Sequence, residues 1–225
     1  MIDEQVYARV ASAEPEIRDL ARIWPLCFLF ELPAQANIVV AGAYRGRVMA
    51  LLALLYPDYV NLVGFEPQLA ARAAAIERFN ASGIRAMVQP FGLGESDGTF
   101  DMGEYGDEYA GFVNLDPQRA RMVGHTEHAT GELREAVRAF DDAVGPNKID
   151  LLLLNIEGYE WILLPHLIRA GLFSSGRIRR LVLQVHWGMG YDDRLAWIAA
   201  EIEKTHKRVY DAIPSWCLWQ WSGVE

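Results

Sequence analysis

Lys148-Ile149-Asp150-Leu151-Leu152-Leu153-Leu154-Asn155-Ile156-Glu157-Gly158-Tyr159-Glu160 is the stretch that decides the fold. An unbroken apolar run of this length reads as a strand buried on both faces, the kind found in parallel sheets. The run ends in polar groups and a glycine, so the strand delivers Asn155 and Glu157 to its carboxyl end. Open α/β sheets bind their ligands there, which makes both residues candidate catalytic groups.

Two other strand ends converge on the same place. Asn37-Ile38-Val39-Val40-Ala41-Gly42-Ala43-Tyr44-Arg45-Gly46-Arg47 reads as a strand, a glycine turn and the start of a helix. Glycine permits a tight turn and close ligand approach, and the helix start offers free backbone N–H groups. Gly42, Ala43, Tyr44 and Gly46 are therefore candidate cofactor contacts. Tyr59-Val60-Asn61-Leu62-Val63-Gly64-Phe65-Glu66-Pro67 reads as a third strand. It ends in a carboxylate roughly 20 residues beyond the turn, the usual distance for an acid that holds a ribose. Glu66 and Pro67 join the cofactor set, with Phe91 beyond the next strand. Together these ends describe a pocket for a nucleoside-bearing cofactor.

The chain has 225 residues, a net charge of −9 and an isoelectric point near 5.1. That length suits one domain, 1–225, with a full core. The negative field opposes binding to nucleic acid or to an anionic membrane, so a compact partner or a small molecule is expected. Cys27 and Cys217 lack the spacing of a metal site or disulfide framework and read as reduced core residues of a cytoplasmic protein. Residues 1–9 have no basic, then apolar, leader pattern, and the apolar stretch 24–32 is too short to span a bilayer.

Residues 3–32 read as helical, with Pro15 opening a second helix, so 1–36 is a helical N-terminal extension. Strands at 38–42, 60–66 and 84–89 then alternate with helices at 47–56 and 68–81, the second closed by Gly83. Alternation of this kind means βαβ units and a parallel sheet. Between residues 91 and 131 the pattern dissolves into Gly, Asp, Glu, Tyr and Thr. Two meanings stay open for that segment: a cover over the substrate, centred on 103–131, or an ordinary hairpin and crossover. Regularity returns with strands at 134–140, 149–155 and 178–185, helices at 159–170 and 192–205, and strands at 207–212 and 215–221. His125 and His128 lack further ligands and read as solvated side chains rather than a metal site. Arg177, Arg179 and Arg180 read as an exposed face.

The ordered set of motifs resembles the FkbM-type S-adenosylmethionine-dependent methyltransferases over about residues 37–188. The residues that carry the resemblance are the glycine turn, Gly64-Phe65-Glu66-Pro67, Gly92-Leu93-Gly94-Glu95-Ser96-Asp97-Gly98, Phe140-Asp141-Asp142, the 149–160 segment and Leu183-Gln184-Val185-His186. The resemblance implies a class I methyltransferase fold: a Rossmann-like α/β architecture with a seven-stranded, mostly parallel sheet, an antiparallel last strand and helices on both faces. It implies S-adenosyl-L-methionine as cofactor and O-methylation of a hydroxyl on a sugar, glycan or natural product. Ser215-Trp216-Cys217-Leu218-Trp219-Gln220-Trp221 suits the last strand, its tryptophans reading as core.

His186 follows an apolar run at a strand end and is a candidate base at neutral pH. Glu157 is a second candidate base, and Asn155 can orient an acceptor. The chain also departs from the family, which usually has an acid at Val40, Asn at Tyr44, Lys at Leu153, Asp at Asn155 and Glu at Gln184. Three acids are neutral here, and Arg45 and Arg47 enter the turn. Either the acceptor has changed and carries its own charge, or the fold serves as a non-catalytic binding protein. A nicotinamide-dependent oxidoreductase fits the turn and acid less well, because the glycines stand four apart and lack the G-x-G-x-x-G spacing.

Overall fold

The computed structural model of the chain describes residues 4–23, 31–105, 109–112, 127–186, 191–212 and 216–223. In chain order its helices are α1 Glu4–Ala11, α2 Pro15–Ile23, α3 Arg47–Leu55, α4 Leu69–Ser82, α5 Ala136–Val144, α6 Glu160–Arg169 and α7 Tyr191–Ile202. Its strands are β1 Asn37–Ala41, β2 Asn61–Phe65, β3 Met87–Gln89, β4 Gly92–Gly94, β5 Gly98–Tyr105, β6 Tyr109–Phe112, β7 Glu127–Glu135, β8 Leu151–Leu154, β9 Arg180–Gln184, β10 His206–Ala212 and β11 Trp216–Trp221.

A seven-stranded sheet runs in the order β10-β11-β9-β8-β1-β2-β3. β9, β8, β1, β2 and β3 pair in parallel, and β11 lies antiparallel to both β9 and β10. β8 lies between β1 and β9, which explains its uninterrupted apolar sequence. Leu152 and Leu154 enter one core with Phe140, Leu163 and Leu164 from α5 and α6. Leu151 and Leu153 enter the other core with Met49, Leu52 and Ala75 from α3 and α4. All four leucines are at most 1% exposed, and burial of each contributes about 1.5–3 kcal/mol. α2 joins the second core through Ile17 and Ala21. Pro15 opens α2 and Gly83 closes α4 in the left-handed conformation at φ 66°, both as the sequence predicts.

Val40 is 0% exposed in the same core as Met49 and stands outside the cavity lining. Trp219 and Cys217 are fully buried, while Trp216 and Trp221 are partly so. Cys27 and His125 lie outside the described residues, and His128 falls within β7. No helix among the described residues is long and apolar enough to cross a membrane.

Two expectations are corrected, and the segment after residue 91 is described in part. The strand expected at 134–140 is the end of β7 followed by α5. Its buried positions Ala136, Ala139, Phe140 and Val144 follow the helical period, and Glu135 caps the helix by accepting from Val137 N (3.0 Å) and Arg138 N (2.9 Å). The segment after residue 91 contains a second sheet, in the order β4-β7-β5-β6, where β5 pairs antiparallel with both β6 and β7. The described part of 103–131 is therefore hairpin and returning strand, while 106–108 and 113–126 lie outside the described residues. Arg177, Arg179 and Arg180 are half-buried rather than an exposed face. Arg177 bonds Gly145 O (2.9 Å) and Asp141 Oδ1 (2.6 Å), and Arg179 stacks on Trp221.

Candidate functional site

The carboxyl ends of β1, β2, β8 and β9 open into one cavity of about 360 Å³, walled on another side by Gly92, Leu93, Phe100 and Leu133 of the second sheet. This volume falls within the usual range for small-molecule sites.

Glu66 leaves the end of β2 and is 5% exposed. Its Oε2 accepts from Tyr44 N (2.7 Å) and its Oε1 from Gln68 N (2.9 Å), so one carboxylate ties the β1 turn to the β2 turn. Burial raises its pKa, against the opposing effects of these two N–H groups and of Arg72. Each carboxylate oxygen has a second lone pair, so both can still receive a ligand hydroxyl.

Gly42 adopts φ +81°, and a Cβ there would stand 1.8 Å from Asn155 O. Only glycine lets the β1 turn come this close to the end of β8. Gly42 N and Ala43 N donate to Phe65 O, each at 3.1 Å. Tyr44, also at positive φ (46°), lines the cavity with Arg45 and Arg47. Arg47 pairs with Glu16 at 3.5 Å.

Gly42, Ala43, Tyr44, Glu66, Pro67, Asn155 and Glu157 all line the cavity, so three distant stretches of sequence do meet there. Gly46, Phe91 and His186 stand outside its lining. A Cβ on Gly46 would meet the Phe79 ring at 2.8 Å, which gives this glycine a packing reason between α3 and α4. Phe91 is 4% exposed in the core, with its ring 5.6 Å from Phe65 and under the guanidinium of Arg134.

His186 is 8% exposed, and its Nδ1 lies 2.6 Å from Glu160 Oε1 and its Nε2 3.4 Å from Glu157 Oε1. Burial works against a charge on the ring, but the two carboxylates overcome it and push the pKa up to about 10. The two carboxylates thus favour the protonated ring, which weighs against His186 as the base at neutral pH.

Asn155 donates its backbone N–H to Ala41 O (3.0 Å), while its buried Oδ1 has no hydrogen-bond partner among the described residues. Gln184, at the end of neighbouring β9, places a second carboxamide on the wall. The residue missed outright is Glu160, fully buried behind the wall. Its signal was its place three residues after Glu157 at a helix start, with a histidine at the next strand end. No group of three His, Cys, Asp or Glu among the described residues could hold a metal ion.

No family model and no curated protein matches the sequence. Solved structures do resemble the fold. The FkbM methyltransferase of Methylobacillus flagellatus KT superimposes with a TM-score of 0.56 at 16% identity, over 86% of this chain and 45% of that one. The present chain therefore spans less than half the length of that protein. A Streptococcus mutans protein assigned as a methyltransferase, solved in complex with SAH, gives 0.52 at 10% identity, over 88% and 97% of the two chains. A Clostridium thermocellum protein assigned as an rRNA methylase gives 0.51 at 10% identity, over 95% and 99%. With the strand order and the antiparallel β11, these likenesses identify the chain as a class I methyltransferase fold.

Proposed function

We propose that the chain is an S-adenosylmethionine-dependent methyltransferase that modifies a hydroxyl of a small molecule, either a sugar or glycan or a natural product. The observation that carries this reading is the buried carboxylate of Glu66 on the cavity wall, beside a turn that only Gly42 can make. Glu66 would hold the ribose, with Pro67 beside it, and the turn from Gly42 through Tyr44 would face the methionine portion. The buried, unpartnered Oδ1 of Asn155 supports the fit, because it calls for a donor from a ligand. Bound there, the cofactor supplies a methyl group on a sulfonium sulfur, an electrophile that needs no further activation.

The chain's own part is to position the acceptor and take its proton. Positioning supplies much of the acceleration in such transfers. Asn155 and Gln184 offer neutral carboxamides to orient a hydroxyl. Glu157, on the same wall, is the carboxylate assigned to accept the proton, and loss of a general base typically costs ~10²–10⁴ in rate. A net charge of −9 favours a small acceptor over a nucleic acid.

The second reading, a non-catalytic binding protein on the same fold, draws on the fixed charge of His186 and the neutral amides at Asn155 and Gln184. Transfer of label from methyl-tritiated S-adenosylmethionine to a broad panel of sugars, polyols and phenols separates the two. The expected result is labelling of at least one acceptor by the native chain and weaker labelling by Asn155→Asp, which puts a second carboxylate beside Glu157. No labelling by either protein would overturn the catalytic reading.

A further inference from the structure

Glu160 is 0% exposed, and a carboxylate so deeply buried is tolerated as a charge only when it is paired. Its Oε1 meets both His186 Nδ1 at 2.6 Å and the N–H of Ile156 at 3.1 Å, while its Oε2 has no hydrogen-bond partner among the described residues. The same imidazolium reaches Glu157 at 3.4 Å through its other nitrogen. Between these anchors the backbone makes two consecutive left-handed residues, Glu157 at φ +54° and Gly158 at φ +103°. A non-glycine residue pays a steric cost in that conformation and keeps it only when its surroundings impose it.

Glu160 imposes it from both sides. It fixes the backbone before the turn through Ile156 and the side chain on the turn through His186. The turn in turn forms the wall that meets Gly42, since a Cβ on that glycine would lie 1.8 Å from Asn155 O and 3.5 Å from Ile156 Cγ2. We propose that the Glu160–His186 ion pair is a positioning device for the site, holding the strained turn at 156–158, and the Glu157 carboxylate on it, against the cavity. Neither residue needs to touch a ligand for this role.

The test uses the full chain and two readouts, hydrogen exchange at the Ile156 amide and titration calorimetry with S-adenosylhomocysteine. The calorimetric readout rests on the function proposed above. Glu160→Leu removes both hydrogen bonds and the charge, whereas Glu160→Gln keeps an oxygen for both donors and drops only the charge. Exchange at Ile156 should rise by at least about tenfold in Glu160→Leu as the turn opens locally, with Glu160→Gln between it and the native chain. Affinity for S-adenosylhomocysteine should fall by at least about fivefold in Glu160→Leu. In a Glu157→Gly background, where glycine takes the left-handed conformation without strain, the same change should cost less than about twofold, a coupling that a double-mutant cycle isolates.

Equal losses in the two backgrounds would mean that the pair stabilises the fold at large and would overturn the proposal. Unchanged Ile156 exchange would overturn it as well. Should Glu160→Leu fail to fold, Glu160→Gln carries the same comparison in both backgrounds. If the native chain binds no S-adenosylhomocysteine while Ile156 exchange still rises in the Glu160 variants, the functional reading fails and the positioning role stands.

Discussion

Burial alone would strip the proton from His186, yet Glu157 at 3.4 Å and Glu160 at 2.6 Å hold it there. Because the folded pKa is raised to about 10 from an ordinary 6.5, the stabilisation is complete below about pH 6.5 and is lost as the pH climbs through 10. Urea unfolding between pH 6 and 10 should therefore show the native chain losing stability with rising pH, with a flatter profile in Glu160→Leu. Identical profiles would contradict the pairing. At this scale the sequence reveals which residues reach the strand ends, since Asn155, Glu157 and Glu66 all stand where their strands deliver them. It does not reveal the state of His186. Glu160 lies 26 positions away in sequence and becomes a neighbour only because β8 and β9 pair. Gly42 and Gly46 look alike in the sequence, but one faces the end of β8 at the cavity and the other faces Phe79.

Elements buried on both faces are the most legible. β8 and β1 announce themselves as apolar runs because each face of the sheet is covered by helices. The second sheet hides for the opposite reason. β4 has three residues, two of them glycine, and β5 finds its second partner, β7, across a long interval, with Gly98 opposite Leu133. Pairing at that distance leaves no local period to read. Glu135 marks the boundary that the sequence pattern misplaces, because a strand and a helix meet there without a loop. Its carboxylate caps α5 and contacts His166 Nε2 at 2.5 Å. Glu135→Ala should cost about 0.5–2 kcal/mol in urea unfolding, the usual loss for a side-chain cap. An unchanged unfolding midpoint would show that α5 does not depend on this cap.

Across the whole molecule, chain order brings the β1 turn, the acid after β2 and the turn after β8 together at the carboxyl ends of the central strands, with the second sheet as a facing wall. The βαβ handedness of parallel sheets makes that convergence readable from the order of motifs alone. The facing side of the cavity is less readable, because it is assembled from the second sheet and from neutral side chains that announce no chemistry of their own. The proposed role of Glu66, holding the ribose of an S-adenosyl cofactor, is open to titration calorimetry. The native chain should bind S-adenosylhomocysteine and give no heat with NAD. Glu66→Gln should weaken that binding by at least ~1 kcal/mol, about fivefold, for loss of a charged hydrogen bond. Unchanged affinity in Glu66→Gln would mean that Glu66 does not hold the ribose, and binding of NAD without S-adenosylhomocysteine would mean that the cavity takes a different cofactor.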